Sequence, residues 1–111
     1  MQAEEARKAV DFLIDSSADY AMARANQMRC ENMLRVIKSL SMKASNEKSA
    51  AAQERDAYAS ETYRDALDEL FEYTKEAEKL RALREAAKMK IEFWRSVNSG
   101  LRSAERGFHS A

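Results

Sequence analysis

Few side chains in this sequence are of the kinds that catalyse reactions or bind metals. Cys30 is the only cysteine and His109 the only histidine, and they lie far apart in the chain. A zinc site needs several such ligands, and a cysteine nucleophile needs a base beside it. We therefore interpret Cys30 as a buried structural thiol and His109 as part of a disordered tail.

Pairs of acidic residues are the next candidates for chemistry, because two carboxylates in a cleft can act as acid and base. The pairs here are Asp11 with Asp15, Asp68 with Glu69, and Glu72 with Glu76. They fall on the polar faces of predicted helices, where solvated charge is the simpler interpretation. The sequence also has no Gly-rich phosphate loop and no Ser-His-Asp set. It therefore predicts no catalytic, cofactor-binding or metal-binding residues, and no enzyme.

The feature best suited to binding a partner is a line of basic residues, Arg81, Lys88, Arg95 and Arg102, which recur every seven positions. A basic helical line with aromatic neighbours such as Trp94 is able to contact a phosphate backbone. The simpler interpretation is that the alkyl stems cover a helix interface while the charges face acids of the first helix. Trp94 is expected to anchor the core, and its alternative role is that of a hot spot for a partner.

Composition predicts the elements that must position these side chains. The chain has 111 residues, no proline, two glycines and 34% charged residues. Twenty residues are alanine and only 14 are Val, Ile or Leu. The lack of turn formers excludes a sheet of short strands, and the balance of alanine with charged residues favours long helices. We therefore predict a single all-α domain over residues 1–111.

Apolar residues recur at alternate steps of three and four, the spacing of one helix face. The first seam is apolar at nine of twelve positions: Ala6, Ala9, Leu13, Ser16, Tyr20, Ala23, Gln27, Cys30, Leu34, Ile37, Ser41 and Ala44. The second is apolar at ten of twelve: Tyr63, Ala66, Leu70, Tyr73, Ala77, Leu80, Arg84, Ala87, Ile91, Trp94, Asn98 and Leu101. They predict long helices over 3–44 and 61–104, a bend and short helix over 45–60, and a frayed tail over 105–111.

Charge predicts how these helices pair. Residues 1–19 and 61–78 are mainly acidic, whereas residues 20–48 and 79–106 are mainly basic. Each long helix therefore begins acidic and ends basic, which suits its dipole. An antiparallel pairing sets acid against base at both ends, so we predict an antiparallel, coiled-coil-like hairpin. The same pattern also permits antiparallel pairing between two chains.

Several large apolar residues fall outside the two seams and need cover. They are Phe12, Met33, Leu40, Leu67, Phe71, Leu83, Phe93 and Val97. The short middle helix is able to cover some of them, and a second copy of the chain is expected to cover the rest, which predicts a homo-oligomer. The polar seam residues Gln27, Arg84 and Asn98 are of the kind that fixes helix register or oligomer state.

The compartment is predicted from what the sequence lacks. A single cysteine forms no internal disulfide, and the first residues show neither the basic nor the apolar region of a signal peptide. The longest apolar run is far shorter than the roughly 20 residues that cross a bilayer. The sequence therefore predicts a cytoplasmic protein that does not enter a membrane.

Residues 78–96, with Ala57-Tyr58-Ala59-Ser60 and residues 66–70, resemble small all-helical hypothetical proteins of tailed bacteriophages and prophages. Members often show an Ala-Tyr-Ala bend followed by a charged helix that ends in an aromatic-Trp-Arg-Ser segment, here residues 93–96. The similarity covers most of residues 8–96. Because such genes often lie among replication and recombination genes, the resemblance implies an accessory role in the cytoplasm of a bacterial host. It carries no catalytic residues.

Three functions fit these observations. The first is a non-catalytic helical interaction or adaptor module that docks a protein partner, for example a phage protein or a host factor to be modulated. The second is a nucleic-acid-binding accessory factor in phage recombination or replication, which uses the basic line. The third is a structural assembly module. Binding to single-stranded DNA that weakens with salt separates the second from the others.

Overall fold

The computed structural model describes the backbone of residues 2–110 and the side chains of residues 2–107. This part of the chain is 92% helical and contains no strand, so the predicted all-α fold is confirmed. Its helices are α1 (Ala3–Asp15), α2 (Ser17–Ala44), α3 (Ala50–Ala59) and α4 (Glu61–Ser110). The side chain of His109, predicted to belong to a disordered tail, lies outside the described side chains.

The prediction of one continuous helix over residues 3–44 is wrong at a single position. Helix α1 ends at Asp15 and α2 begins at Ser17, with a break at Ser16. The Ser16 N–H still donates to the Phe12 carbonyl at 2.9 Å, and the Ser17 hydroxyl donates to the Leu13 carbonyl at 2.6 Å. Serine hydroxyls that bond to nearby carbonyls compete with regular helical bonding and commonly bend helices.

The other helix ends follow the sequence closely. Helix α2 ends at Ala44 and α4 begins at Glu61, as predicted, and the predicted short helix between them is α3. The Ser49 hydroxyl caps α3 by accepting from the Ala52 N–H at 3.1 Å. Helix α4 reaches Ser110 rather than ending at 104, and neither Gly100 nor Gly107 adopts the positive φ with which a glycine commonly ends a helix.

The chain divides into two compact units, which are described separately. The central unit holds Asp19–Glu78, and the terminal unit holds the chain up to Ala18 together with the chain from Lys79 onward. In the central unit, α2 and the first part of α4 form the predicted helical hairpin. In the terminal unit, the last part of α4 lies beside α1 and contacts it through Arg84.

Both seams face the helix interfaces. Every position of the first seam is buried or half-buried except Ala44, and every position of the second except Leu101. The buried apolar residues are all small: Ala6, Ala9, Ala23, Cys30, Ala52, Ala57, Ala77 and Ala87. No large side chain among the described residues is fully buried. The fully buried apolar layer between the helices is therefore thin and made mostly of alanines, and the large seam residues beside it are only half-buried.

A polar cluster attaches α3 to the end of α2. The Lys38 ammonium lies 2.9 Å from a Glu54 carboxylate oxygen and 4.8 Å from the centre of the Tyr58 ring. The Tyr58 hydroxyl donates to the same oxygen at 3.1 Å. Tyr58 and Glu54 together raise the pKa of Lys38, while Lys38, and then Tyr58, lower the pKa of Glu54. Both groups of the ion pair are therefore held in their charged forms.

We expect Ser60→Ala to destabilise the protein by about 1 kcal/mol, the usual contribution of a serine N-cap. The Ser60 hydroxyl accepts a hydrogen bond from the Tyr63 N–H at 3.2 Å and so satisfies a free donor at the start of α4. Urea unfolding followed by circular dichroism measures the change. The exposed Ser39→Ala is the control and should leave the midpoint nearly unchanged. Equal effects of the two substitutions would contradict the capping role.

Candidate interaction surfaces

The terminal unit contains an apolar groove between α1 and α4. Its volume is about 370 Å³. The apolar lining consists of Ala9, Phe12, Leu83, Ala86 and Ala87, and three charged residues, Glu5, Lys8 and Lys90, complete it. Ala9 and Ala87 are buried, whereas the three charged residues are exposed. Because these alanines reach only a short way from their helices, they leave room that a large apolar side chain of another molecule could fill.

An exposed apolar stripe continues from this groove along α4. We call it the outer stripe, and its residues are Leu83, Ala86, Lys90, Phe93 and Val97. They are separated by alternate steps of three and four, so they share one helix face. Leu83 is 46% exposed, Phe93 55% and Val97 39%. The outer stripe therefore forms a second, uncovered seam beside the one that faces α1.

Leu83, Phe93 and Val97 are among the residues predicted to need cover, and the structure adds that they share one helix face. This periodicity is visible in the sequence, because the run of three-four steps is apolar at every position except Lys90. Phe12 was also named, and its place beside Leu83 in the groove follows from the packing of α1 against α4. That neighbourhood depends on helix register, which the sequence left open.

The basic line lies on a different face of α4. At about 100° per residue, Lys88 is roughly 200° from both Ala86 and Lys90, so the basic line is opposite the outer stripe. Lys88 pairs with Glu85 at 3.2 Å and Arg95 pairs with Glu92 at 3.0 Å. The predicted partners were acids of the first helix. The ion pairs of Lys88 and Arg95 instead lie within α4, because each acid is three residues before its base and thus adjacent on the helix surface.

Arg81, Arg102 and Trp94 complete the set of residues selected from sequence. Arg81 and Arg102 are exposed on α4, as are Lys88 and Arg95. Trp94 is half-buried on the second seam and is therefore turned away from the basic line by about one residue step, or 100°. The structure thus keeps the four bases on one face and does not bring the Trp94 ring onto it.

Arg84, a polar residue in the second seam, has a structural role in the terminal unit. Its guanidinium donates to the Leu13 carbonyl and to the Ser16 hydroxyl, each at 2.8 Å. A longer contact of 3.5 Å reaches the Ser17 hydroxyl. Arg84 therefore supplies donors where the chain breaks between α1 and α2. Its polarity in the seam is explained by the carbonyl and hydroxyl groups that it meets.

Gln27, a polar residue in the first seam, has an equivalent role in the central unit. Its amide donates to the Thr74 hydroxyl at 3.2 Å, and its carbonyl oxygen accepts from Arg24 at 2.6 Å. Gln27 is buried, so sliding α2 along α4 would leave the buried amide without its partner. The predicted contribution of Gln27 to helix register therefore has a defined contact.

Cys30 is a free, buried thiol, as predicted. Burial raises its pKa, the nearby Glu69 carboxylate raises the pKa further, and Arg29 acts in the opposite direction. Cys30 lines a second groove of about 310 Å³ in the central unit, together with Met33, Tyr73 and charged residues. A raised pKa disfavours the thiolate, which is the nucleophilic form.

No protein family, curated protein or solved structure matches this chain. Among the described residues, no three His, Cys, Asp or Glu side chains are placed to hold a metal ion. None of the helices in the part of the chain that the structure describes has the length and apolar character to span a membrane.

Proposed function

We propose that this chain is a non-catalytic helical interaction module that binds another protein through the apolar groove and the outer stripe. The observation that carries this proposal is the exposure of two large apolar side chains at the alanine-lined groove. Leu83 lines the groove, and Phe93 follows it on the outer stripe. Large apolar side chains aligned on one helix face usually mark a contact surface when they form a continuous patch.

The partner that fits best presents an amphipathic helix. A helix lying along α4 would match the three-four spacing of the outer stripe with its own apolar residues. The groove between α1 and α4 accepts one large side chain of that helix, and Glu5 and Lys90 provide charged groups of both signs at its edge. Such an arrangement resembles other helix-in-groove interfaces, where few apolar anchors contribute most of the binding energy.

The proposed setting is the cytoplasm of a bacterial host, with the chain acting as a phage accessory or host-factor-modulating protein. This part of the proposal is supported by the resemblance of residues 57–60, 66–70 and 78–96 to phage-encoded helical proteins. An adaptor role and a structural assembly role use the same surface and differ in whether the bound helix belongs to a foreign protein or to the assembly itself.

Nucleic-acid binding through the basic line is the second candidate, favoured by four exposed cations at seven-residue spacing. Two features weigh against nucleic-acid binding: acids beside the bases of α4, and the zero net charge of the chain. Glu85 and Glu92 pair with Lys88 and Arg95, and Glu78 precedes Arg81 by the same three residues. A phosphate backbone would meet this negative charge along most of the line, and the chain has zero net charge.

Affinity capture with two matched variants tests the proposal. Leu83 and Leu67 are both on α4 and are 46% and 42% exposed, but only Leu83 lines the groove. We expect Leu83→Ser to reduce recovery of the bound protein by on the order of tenfold, since a buried leucine contributes about 2 kcal/mol. Leu67→Ser should leave recovery unchanged. Equal recovery with both variants would contradict a partner site at the groove.

A nucleic-acid assay separates the second candidate. Replacing Arg81, Lys88, Arg95 and Arg102 with glutamine should leave capture of the protein partner intact, because the basic line faces away from the outer stripe. If the line bound phosphates, the parent would bind single-stranded DNA and the variant would lower the salt slope by about three. That result would favour the nucleic-acid function over the protein-interaction function.

A further inference from the structure

We infer that α1 is a hinged strap, which closes over the second seam of α4 and opens at Ser16 while the central unit stays folded. Four features of the terminal unit support the hinge: the break at Ser16, the small burial of α1, the weak ends of this helix, and the bonds that Arg84 makes to it. The hinge is independent of the proposed function, whereas its effect on the apolar groove rests on that function.

The hinge lies at Ser16, whose φ of −88° and ψ of −5° depart from regular helical values. The Leu13 carbonyl accepts hydrogen bonds from two side chains here, the Ser17 hydroxyl at 2.6 Å and the Arg84 guanidinium at 2.8 Å. A regular helix uses this carbonyl for the N–H of residue 17. Side-chain bonds therefore share in linking α1 to α2, and such a link bends more easily than a continuous helix.

Helix α1 buries little apolar surface against α4. Its buried residues are Ala6 and Ala9, whereas Val10 is 41% and Ile14 67% exposed. The apolar groove of about 370 Å³ lies within the same interface, so part of this interface is not filled. Segments with few buried contacts open at a lower free energy than the whole domain. The packing of α1 is therefore of the kind that opens locally.

The two ends of α1 lack the groups that stabilise a helix. Its N-cap residue, Gln2, makes no side-chain cap hydrogen bond. Its last turn contains Asp15 and no basic residue, which places negative charge at the negative end of the helix dipole. A helix of 13 residues is marginal in water by itself. Helix α1 therefore depends on α4 for its structure and melts when it is released.

Arg84 supplies the cation that the last turn of α1 lacks. Its guanidinium donates to the Leu13 carbonyl at the end of α1 and to the Ser16 hydroxyl at the hinge, each at 2.8 Å. Both acceptors lose this charged donor when α1 leaves α4. Arg84 is therefore the latch that holds the strap closed.

Opening of the strap takes the apolar groove apart. Ala9 and Phe12 form the part of its apolar lining that belongs to α1, and Leu83, Ala86 and Ala87 form the part that belongs to α4. A partner that binds both parts binds only the closed strap. Its binding therefore favours closure, and a released strap lowers its affinity by the fraction of molecules that are open.

Trp94 is placed to report on the strap. Arg84 contacts Leu13 on α1. Further along α4, Lys90 lines the groove with Glu5, which is earlier in α1, so the two helices run antiparallel. Trp94, which is further along still, therefore lies opposite the first residues of α1. It is half-buried and is the only tryptophan of the chain, so its emission should move to longer wavelength when the strap opens.

Hydrogen exchange followed by mass spectrometry tests the strap in the parent protein. We expect the amides of α1 to be protected on the order of 100-fold less than those of residues 23–34, which include the buried residues of α2. Equal protection of the two segments would overturn the inference, since α1 would then open only when the whole protein unfolds.

Two matched variants test the latch. Arg84→Met should speed exchange of the α1 amides on the order of 100-fold, up to the rate of an unstructured peptide, and move the Trp94 emission to longer wavelength. Residues 23–34 should stay far better protected than α1. Arg95 is exposed and pairs within α4, so Arg95→Met should change neither measurement. Equal effects of the two substitutions, or equal loss of protection in α1 and in residues 23–34, would contradict the latch.

Gln2→Ser tests the strap in the opposite direction. A serine at this position caps α1 and forms a capping box with Glu5, which is the third residue of the helix. Because the helix melts on release, the substitution should slow exchange of the α1 amides about fivefold. An unchanged rate would contradict the dependence of α1 on α4.

Affinity capture separates failure of the strap from failure of the proposed function. Arg84 does not line the groove, but Arg84→Met should lower recovery of the bound protein on the order of tenfold, whereas Arg95→Met should not. Weak protection of α1 with recovery that ignores Leu83→Ser would refute the partner site and keep the strap. Equal protection of both segments with recovery lost in Leu83→Ser would refute the strap and keep the partner site.

Discussion

Replacement of Ala77 by leucine should destabilise the protein by about 3 kcal/mol, the upper part of the usual range for overpacking. Ala77 is 1% exposed at the centre of the second seam. A leucine there must push neighbouring helices apart or adopt an unfavourable rotamer, because almost none of the space around Ala77 is open to solvent. Urea unfolding with an unchanged baseline helicity gives the difference in the free energy of unfolding.

Ala82→Leu is the matched control. Ala82 is on the same helix but is exposed, so the added side chain meets solvent. Leucine and alanine are both strong helix formers, and the control should therefore change stability by less than about 0.5 kcal/mol. Similar stability of the two variants would show that the seam is loose enough to accept large side chains, contrary to the packing described here.

Replacement of Arg84 by methionine should also destabilise the protein by about 3 kcal/mol. Methionine keeps most of the aliphatic stem but removes the donors to the Leu13 carbonyl and the Ser16 hydroxyl. Hydrogen bonds from a charged group contribute about 1.5–3 kcal/mol each, and Ser16 is buried, so its hydroxyl loses a partner where water has little access. Thermal and urea unfolding should agree on the direction.

Arg95→Met is the control for this substitution. Arg95 is exposed and pairs with Glu92 within the same helix, an arrangement that contributes about 0.5 kcal/mol or less. A variant at position 84 that proves more stable than the parent would mean that an apolar seam outweighs the bonds at the chain break. Arg84 would then be retained for a reason other than stability.

The local features of this fold were predictable from the sequence, whereas most contacts between distant residues were not. The three-four spacing predicted the buried face of both long helices, and Ser60 marked the start of α4. The spacing fails as a predictor of burial at Leu101, which belongs to the second seam but is 61% exposed. Arg84 contacts Leu13, so Leu101 falls on the part of α4 that lies beyond Ala3, the first residue of α1.

The break at Ser16 and the outer stripe needed tertiary information. No proline or glycine near Ser16 marks the break in the sequence. The guanidinium that binds there belongs to Arg84, which is 68 residues further along the chain. The groove likewise combines Phe12 with Leu83 and Ala86, whose proximity depends on register. The basic line was visible as a repeat, but its pairing with acids of its own helix depends on side-chain geometry.

The alanine layer between the helices also determines how stability responds to temperature. The heat capacity of unfolding rises with the apolar surface that becomes exposed. Helices joined through small residues, with their large apolar side chains already partly in water, expose little additional apolar surface when the monomer unfolds. The curvature of the free energy of unfolding against temperature is therefore shallow for a single chain. Covering the outer stripe adds apolar burial and makes that curve steeper.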